Sequence, residues 1–364
     1  MSSSASSAAS GSASSRSSGT SSHIPNVVTI AGVDPSGGAG VFADLKAFSA
    51  LGAYGCGVVA ALTAQNTQAV TGVHVPPTDF LRLQIDTLFA DVSIHATKIG
   101  MLGSAEVTTT VAERLAHWQA ANVVLDPVMV AKSGDSLLAR SAISAMREAL
   151  FPQAFLITPN LPEAGVLLEQ RAPDTVKEMY RATERLRELL PLSSERWVLL
   201  KGGHLPGNDL VDLLFDGDRM VELPAQRIET KDTHGTGCTL SSAIAALLPQ
   251  AEGQFRPVET AVRHARQWLL GAIAHSGELA VGSGHGPVHH FHALWKRLVL
   301  APFALARWER ACPRRSPNRP PHSRASPLPR TRQRSWAIPP PLAPDGTDGP
   351  RARTAHQTRT PHPS

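Results

Sequence analysis

The length, composition and charge of the chain exclude three classes of protein. With 364 residues, 42 % of them hydrophobic, the chain has enough apolar material for a large core, so a mini-protein held together by disulfides or metals is excluded. Three cysteines are too few for a disulfide framework and favour a reducing compartment. No run of about 18 apolar residues occurs, so the sequence predicts no membrane span.

The net charge of +5 is unevenly distributed along the chain. Residues 296–364 carry 14 lysines and arginines against 3 acidic residues, whereas residues 1–295 carry 21 against 27. The basic segment is rich in proline and lacks apolar periodicity, so we expect a disordered tail over 297–364 that does not bind nucleic acid. Residues 1–23 hold 13 serines and predict a disordered leader. The folded domain is predicted over 24–296.

Within that domain, short apolar runs alternate with stretches of helical spacing. The apolar runs predict buried strands at Asn26–Ala31, Tyr54–Leu62, Ala96–Ile99, Val123–Leu125, Phe155–Ile157 and Trp197–Leu200. A hairpin is predicted around Asp216–Asp218. The alternation predicts one α/β domain with a mostly parallel central sheet and helices on both faces.

Helical spacing is clearest in four stretches, at Gly38–Leu51, Pro77–Phe89, Leu240–Leu248 and Val258–Ala274. In the second of these, the spacing predicts a core-facing side formed by Phe80, Leu83, Leu88 and Phe89.

Ligands of open α/β sheets bind beyond the carboxyl ends of the strands, so the residues after each predicted strand are candidates for a site. The first strand runs into the glycine-rich segment Gly32–Gly40, which lacks both the P-loop lysine and the dinucleotide fingerprint; tight packing is the alternative explanation. Gln65 follows the second strand and offers the donor and acceptor that a pyrimidine or pyridine edge requires, although a strand-end turn also fits. Met101 follows a later strand and suits either a ring pocket or the core.

Two acidic side chains and a lysine follow further strands. Asp126 and Glu163 suit Mg²⁺, which takes few protein carboxylates together with water and phosphate oxygens. Asn160 and Glu163 also have the spacing of a helix capping box, which is the structural alternative. Lys201 adds a cation that can neutralise phosphate.

The sharpest motif is Thr233–Thr239, in which glycines open a predicted helix. The free amides and the positive dipole end of such a helix form an anion hole suited to a phosphoryl group in transfer. Cys238 lies inside this motif, where we expect its thiolate to be favoured. The alternative is a glycine-rich helix start with a buried thiol.

Taken together and in order, these motifs resemble the bifunctional hydroxymethylpyrimidine kinase/phosphomethylpyrimidine kinase family of thiamine biosynthesis, within the ribokinase superfamily. The resemblance covers Asn26 to Trp295, and both terminal segments depart from the family. The matching motifs are Thr29–Gly32, Asp34–Gly40, Ala43–Lys46, Thr63–Asn66, Lys98–Leu102, Asp126–Met129, Lys132–Gly134, Thr158–Glu163, Lys201–His204, Thr233–Cys238 and Gly286–His292.

The resemblance implies a ribokinase-like fold, a cytoplasmic homodimer, a small pyrimidine substrate, and ATP as phosphoryl donor with Mg²⁺ as cofactor. It implies catalytic roles for Gly235, Thr236, Gly237 and Cys238, the last standing where many superfamily members have an aspartate. The pyrimidine pocket that it implies consists of Gly32, Ala39, Thr63, Gln65 and Met101. The implied ATP contacts are Asn160 and Lys201, and the implied metal contacts are Asp126 and Glu163.

Two other functions remain open at this point. Pyridoxal kinases share most of these motifs and act on a similar flat ring with a hydroxymethyl arm. The second alternative is a protein that associates with RNA or membranes through its basic tail and uses an inactive kinase domain as a scaffold. The intact strand-end motifs argue against it.

Overall fold

The computed structural model of the protein describes residues 24–129, 140–192, 195–250 and 257–295. The predicted leader and tail, and the motif Lys132–Gly134, lie outside the described residues. The strands are β1 (Asn26–Val33), β2 (Tyr54–Gln65), β3 (Val70–His74), β4 (Ala96–Ile99), β5 (Val123–Leu125), β6 (Leu156–Ile157), β7 (Trp197–Leu200), β8 (Asp209–Phe215) and β9 (Met220–Gln226).

All nine strands belong to one sheet, in the order β3-β2-β1-β4-β5-β6-β7-β8-β9. The six central strands, β2, β1, β4, β5, β6 and β7 in sheet order, pair in parallel. Strand β3 at one edge and the β8–β9 hairpin at the other pair antiparallel. The predicted hairpin around Asp216–Asp218 is confirmed as the β8–β9 turn. The mostly parallel sheet is likewise confirmed, and it brings the carboxyl ends of six strands to one edge.

The helices cover both faces of this sheet, as predicted. They are α1 (Gly40–Ala50), α2 (Thr78–Asp91), α3 (Ala105–His117), α4 (Arg140–Ala145, continued by a π-helical turn over Met146–Leu150), α5 (Leu161–Leu167), α6 (Val176–Glu188), α7 (Thr236–Leu247) and α8 (Pro257–Ala274). Short 3₁₀ turns lie at Leu248–Gln250 and Ser276–Glu278. None of the helices in the described ranges combines the length and apolarity that crossing a bilayer requires.

Two hydrophobic clusters hold the layers together, one on each face. Because neighbouring residues of a strand point to opposite faces, Val28 of β1 packs in the cluster that includes α2 to α6, and Val27 packs in the cluster that includes α1, α7 and α8. Helix α7 therefore packs on the same face as α1, the helix that follows the glycine-rich segment.

Helix α2 turns a different side to the core from the one that the sequence predicts. Leu81 and Ile85 are fully buried, whereas Phe80 and Leu83 are 54 % and 58 % exposed, so the prediction was wrong for these two residues. Leu88 and Phe89 do pack against the core, as predicted. The helix carries apolar residues on two sides, and the sheet selects the stripe that runs through Leu81 and Ile85.

Candidate active site

The thirteen residues that the sequence singled out for a site come together around one cavity. It has a volume of about 480 Å³ and lies at the carboxyl ends of the parallel strands. The predicted residues among its lining are Gly32, Ala39, Thr63, Gln65, Met101, Asp126, Asn160, Glu163, Lys201, Gly235, Thr236, Gly237 and Cys238. Their individual roles stay predictions.

The glycine-rich segment after β1 is tied directly to the segment before α7. The carboxylate of Asp34 accepts hydrogen bonds from the amide and hydroxyl of Ser36 and from the amide of Ala39, which shapes the turn. The same carboxylate lies 2.7 Å from Nε2 of His234. Burial raises the pKa of Asp34, but hydrogen bonds from His234 and Ser36 outweigh it, so the net shift is downward. Asp34 therefore remains an anion that joins the two segments.

Helix α7 begins at Thr236, four residues earlier than the sequence predicts, so Cys238 lies in its first turn. Gly235 caps the helix with φ +76°, a conformation that favours glycine. A Cβ at this position would meet the carbonyl carbon of Gly38 at 2.8 Å, so the two glycine-rich segments pack backbone against backbone. First-turn amides have no carbonyl one turn earlier to bind, and Gly237 and Cys238 line the cavity, so this helix start is where the sequence predicts an anion hole.

Lys201 and Asp126 meet beside this anion hole. Nζ of Lys201 lies 3.0 Å from Oδ1 of Asp126, which also accepts a hydrogen bond from Thr158. A Cβ at Gly237 would be 3.2 Å from Nζ of Lys201, so the ammonium group lies against the first turn of α7. Burial lowers the pKa of Lys201, but attraction to Asp126 and Glu163 outweighs this effect. The net shift is upward, so the lysine stays charged.

Glu163 forms the capping box that the sequence offered as the structural alternative, and it also lines the cavity. Its amide donates to Oδ1 of Asn160 at 2.9 Å and its carboxylate accepts from the Asn160 amide at 2.8 Å, which confirms the capping box. The same carboxylate lines the cavity. Burial raises its pKa to about 7, while Lys201 opposes the shift. Two buried carboxylates, Asp126 and Glu163, thus act on the one ammonium group of Lys201.

The expectation of a thiolate at Cys238 meets an opposing effect. The thiol is half-buried, and burial raises its pKa to about 11 even though the positive charge of Lys98 lowers it. Helix-end amides and a nearby lysine do stabilise a thiolate, but the loss of hydration costs more here. With a pKa of about 11 the thiol is protonated at neutral pH, so the sequence-based prediction was wrong on this point.

The opposite end of the cavity is built from β2 and the segment after β4. Oγ1 of Thr63 donates to the carbonyl of Val33 at 2.8 Å and lies 3.2 Å from Oε1 of Gln65. The amide of Gly32 donates to the carbonyl of Met101 at 2.9 Å, and a Cβ at Gly32 would lie 2.7 Å from the Met101 methyl group. Gly32, Met101 and Gln65 all line the cavity.

Comparison with known proteins shows which family the chain belongs to. A family model described as phosphomethylpyrimidine kinase matches residues 34–289. The hydroxymethylpyrimidine/phosphomethylpyrimidine kinase of Escherichia coli is 52 % identical over 270 residues, which cover 74 % of this chain and 98 % of the relative. The chain belongs to the phosphomethylpyrimidine kinase family. A further member, from Rhizobium meliloti, is 46 % identical and covers the same shares of both chains.

Solved structures extend the family relationship to the fold. A Bacillus subtilis pyridoxal kinase in complex with ADP is 33 % identical, with a TM-score of 0.67, and covers 74 % of this chain and 99 % of its own. A phosphomethylpyrimidine kinase from Clostridium difficile is 37 % identical, with a TM-score of 0.60, and covers 68 % and 99 %. The predicted ribokinase-like α/β fold is confirmed.

A second cavity of about 640 Å³ adjoins the first and was missed by sequence reasoning. The two share part of their lining, including Asn160, Lys201, Thr236 and Gly237. Most of the remaining lining of the second cavity comes from β8, β9, the segment after β9, α7 and α8. Its apolar members include Ile228, Leu240, Leu269, Leu270 and Ile273. These residues carry no motif, because only the packing of α7 and α8 brings them to the strand ends.

Proposed function

We propose that the protein transfers the γ-phosphoryl group of ATP to the hydroxyl group of 4-amino-5-hydroxymethyl-2-methylpyrimidine, and then a second phosphoryl group to the resulting monophosphate. The observation that carries the proposal is the junction of two cavities at Gly237 and Lys201. A donor in one cavity and an acceptor in the other would meet at the anion hole, which is where phosphoryl transfer requires stabilisation of charge. The names of the relatives point to the same reaction.

The second cavity suits the nucleotide. Its apolar side, formed by residues such as Ile228, Leu240 and Leu269, offers the surface that an adenine ring requires. Asn160 and Lys201 lie at the end shared with the first cavity, where they would contact the phosphates. The charged lysine neutralises phosphate without a proton transfer.

Asp126 and Glu163 fit a magnesium ion, and we propose that they hold it directly or through water. Both are buried carboxylates, and Lys201 offsets only one of their two charges. Mg²⁺ prefers such a small set of carboxylates together with water and phosphate oxygens, and it would supply positive charge to the phosphates of ATP. The raised pKa of Glu163 describes the protein without this cation.

The first cavity suits the pyrimidine. Gln65 would pair with a ring nitrogen and the exocyclic amine, while Met101 packs on the ring face. This orientation directs the hydroxymethyl arm to Cys238 and the anion hole. Because the thiol is protonated in the free enzyme, charge stabilisation by Lys201 and the helix amides contributes more than proton removal.

Three further properties belong to the same proposal. The exposed Phe80 and Leu83 of α2 line an apolar groove with Val58 and Leu88, and we propose that this groove is covered in a homodimer. The free Cys56 and Cys238 suit the reducing cytoplasm, where we place the protein. We propose no nucleic-acid partner.

The function is tested by incubating the purified protein with ATP, Mg²⁺ and either the hydroxymethylpyrimidine or pyridoxal, and separating the products by chromatography. We expect the pyrimidine monophosphate to form first and the diphosphate after it, with a kcat/KM for the pyrimidine above that for pyridoxal. Phosphorylation of pyridoxal alone would reassign the enzyme to the neighbouring activity. Absence of both products would contradict the kinase function itself.

A further inference from the structure

Below the anion hole lies a buried group of polar side chains that the proposed reaction does not use. Asp44 of α1 accepts hydrogen bonds from Oγ1 of Thr29 at 2.6 Å, from Nζ of Lys98 at 2.8 and 2.9 Å, and from Oγ of Ser242 at 2.6 Å. The side chains of Asp44 and Lys98 are both 0 % exposed. One carboxylate thus joins β1, β4, α1 and α7.

Stability alone does not account for a pair of this kind. Removing two charges from water is costly, and replacing a buried ion pair with apolar side chains of similar volume is often neutral or stabilising. The position of the pair is informative instead. Ser242 lies one helical turn after Cys238 on α7, so its bond to Asp44 fixes the first turn of that helix against the sheet.

The lysine of the pair points toward the reaction site. A Cβ at Gly100 would lie 2.7 Å from Nζ of Lys98, so the side chain runs toward the carboxyl end of β4. Among the charged groups that act on the Cys238 thiol, Lys98 has a larger effect than Asp44, and Asp126 acts in the same direction as Asp44. Lys201 also interacts with this thiol, from the cavity side.

We propose that Lys98, held by Asp44, is a positioning residue for phosphoryl transfer: its buried ammonium group supplies positive charge beneath the first turn of α7 and sets the reactivity of the Cys238 thiol. Asp44 has two parts in this arrangement. It fixes the lysine and the helix in one geometry, and it offsets part of the lysine's charge. The link to catalysis rests on the proposed function, whereas the effect on Cys238 does not.

The test measures the rate at which iodoacetamide alkylates Cys238 in the full-length protein between pH 6 and 10 without substrate, followed by mass spectrometry of the Cys238 peptide. Only the thiolate reacts. In Lys98→Met the positive charge is lost, so we expect alkylation at pH 8 to be about tenfold slower. In Asp44→Asn the lysine is no longer offset, so we expect it to be about tenfold faster.

These opposite directions separate positioning from damage to the fold. Loosening of the structure would make Cys238 more accessible in both variants, so acceleration in both, or no change in either, would overturn the proposal. Glu259→Gln is the matched control: Glu259 is also buried and ion-paired, with Arg219 and Arg263, but does not line the cavity. It should leave the alkylation profile unchanged.

A double variant, Lys98→Met with Asp44→Asn, removes the pair without leaving a lone buried charge. It replaces the single variants in the alkylation measurement if one of them does not fold. Since Lys98 has the larger effect, we expect slower alkylation than in the wild type, and an unchanged rate would contradict the proposal. In the kinase assay we expect Lys98→Met to lower kcat while the KM for ATP changes little. If the wild-type protein phosphorylates neither substrate, the proposed function fails while the alkylation result still decides the role of Lys98.

Discussion

The two ends of the first cavity are built on opposite principles. At the phosphoryl end, side chains from distant parts of the chain bind one another: Lys201 pairs with Asp126, and His234 pairs with Asp34. At the ring end, Thr63 and Gln65 lie on β2, where Thr63 donates to the Val33 carbonyl of the neighbouring strand β1 and has a local contact with Gln65. Charged pairs between distant segments thus hold one end, whereas neutral polar groups of one strand form the other.

The difference indicates separate roles for the two ends of the cavity, charge stabilisation at one and ring binding at the other. Charges and amides that are fixed before the ligand arrives need no reorganisation during the reaction, which is the condition for electrostatic stabilisation of a transition state. A few polar groups on an apolar surface are sufficient to select and orient a ring. Substitutions at the phosphoryl end should therefore lower kcat, and those at the ring end should raise the KM of one substrate.

The largest effect is expected from Gly235→Ala. An alanine would strain the left-handed cap and push against the Gly38 carbonyl, which displaces the first turn of α7. We expect kcat to fall about 10²–10³-fold, as on loss of an anion-hole donor. Gly277→Ala is the control, because its Cβ would meet nothing within 4 Å and Gly277 lines neither cavity. Equal activity of the two variants would show that the anion hole does not depend on this cap.

The next effect concerns Cys238→Ser, measured as kcat against pH. General bases contribute roughly 10²–10⁴-fold, and we expect the lower limit, about 10²-fold, because the raised pKa of about 11 keeps the thiol protonated. A base with a raised pKa becomes more effective as pH rises, so the wild-type kcat should increase toward alkaline pH and that of the serine variant should not. Parallel profiles would remove the base assignment and leave the charges as the catalysts.

At the ring end, Gln65→Ala should weaken binding of the pyrimidine and leave binding of ATP unaffected. Loss of an amide that pairs with two ligand groups costs about 1–3 kcal/mol of binding free energy, which corresponds to a rise in the pyrimidine KM of roughly 5- to 150-fold. Initial rates with each substrate varied in turn measure this. Gln68→Ala, three residues further on and exposed, provides the comparison. Equal changes in both KM values would place Gln65 outside the pyrimidine pocket.

The smallest effect is a pH dependence of stability at the phosphoryl end. The pKa of Glu163 is about 7 in the folded protein, above its ordinary 4.5, so the folded state holds this proton more tightly than the unfolded state. The wild type therefore loses stability from this group as pH rises from 4.5 to about 7.

Glu163→Gln removes that loss and keeps an acceptor for the capping box. Thermal unfolding without metal or nucleotide should show the Tm of the variant rising relative to that of the wild type across this pH interval. A constant difference between the two would mean that Glu163 ionises normally and that the phosphoryl end holds its negative charge without cost.

The architecture and the residues that line the cavity could be predicted from the sequence. Alternating apolar runs and helical stretches specify a parallel sheet, and the carboxyl ends of parallel strands share one edge. Residues as far apart in the chain as Gly32 and Cys238 were therefore assigned to one site, from their positions after strands and before helices together with the family resemblance, and they line one cavity. Gly235 and Gly237 also indicate the helix start at which we propose the anion hole, since that property depends on local backbone geometry.

Which side chains form pairs, and how deeply they are buried, depends on tertiary packing that the sequence does not show. Neither the contact of Asp34 with His234, 200 residues apart, nor the bonds of Asp44 to Lys98 and Ser242 has a local signal. The protonation of Cys238 was mispredicted for the same reason. A helix start stabilises a thiolate through nearby amides, which the sequence shows, but burial opposes it through lost hydration, which depends on what packs around the thiol.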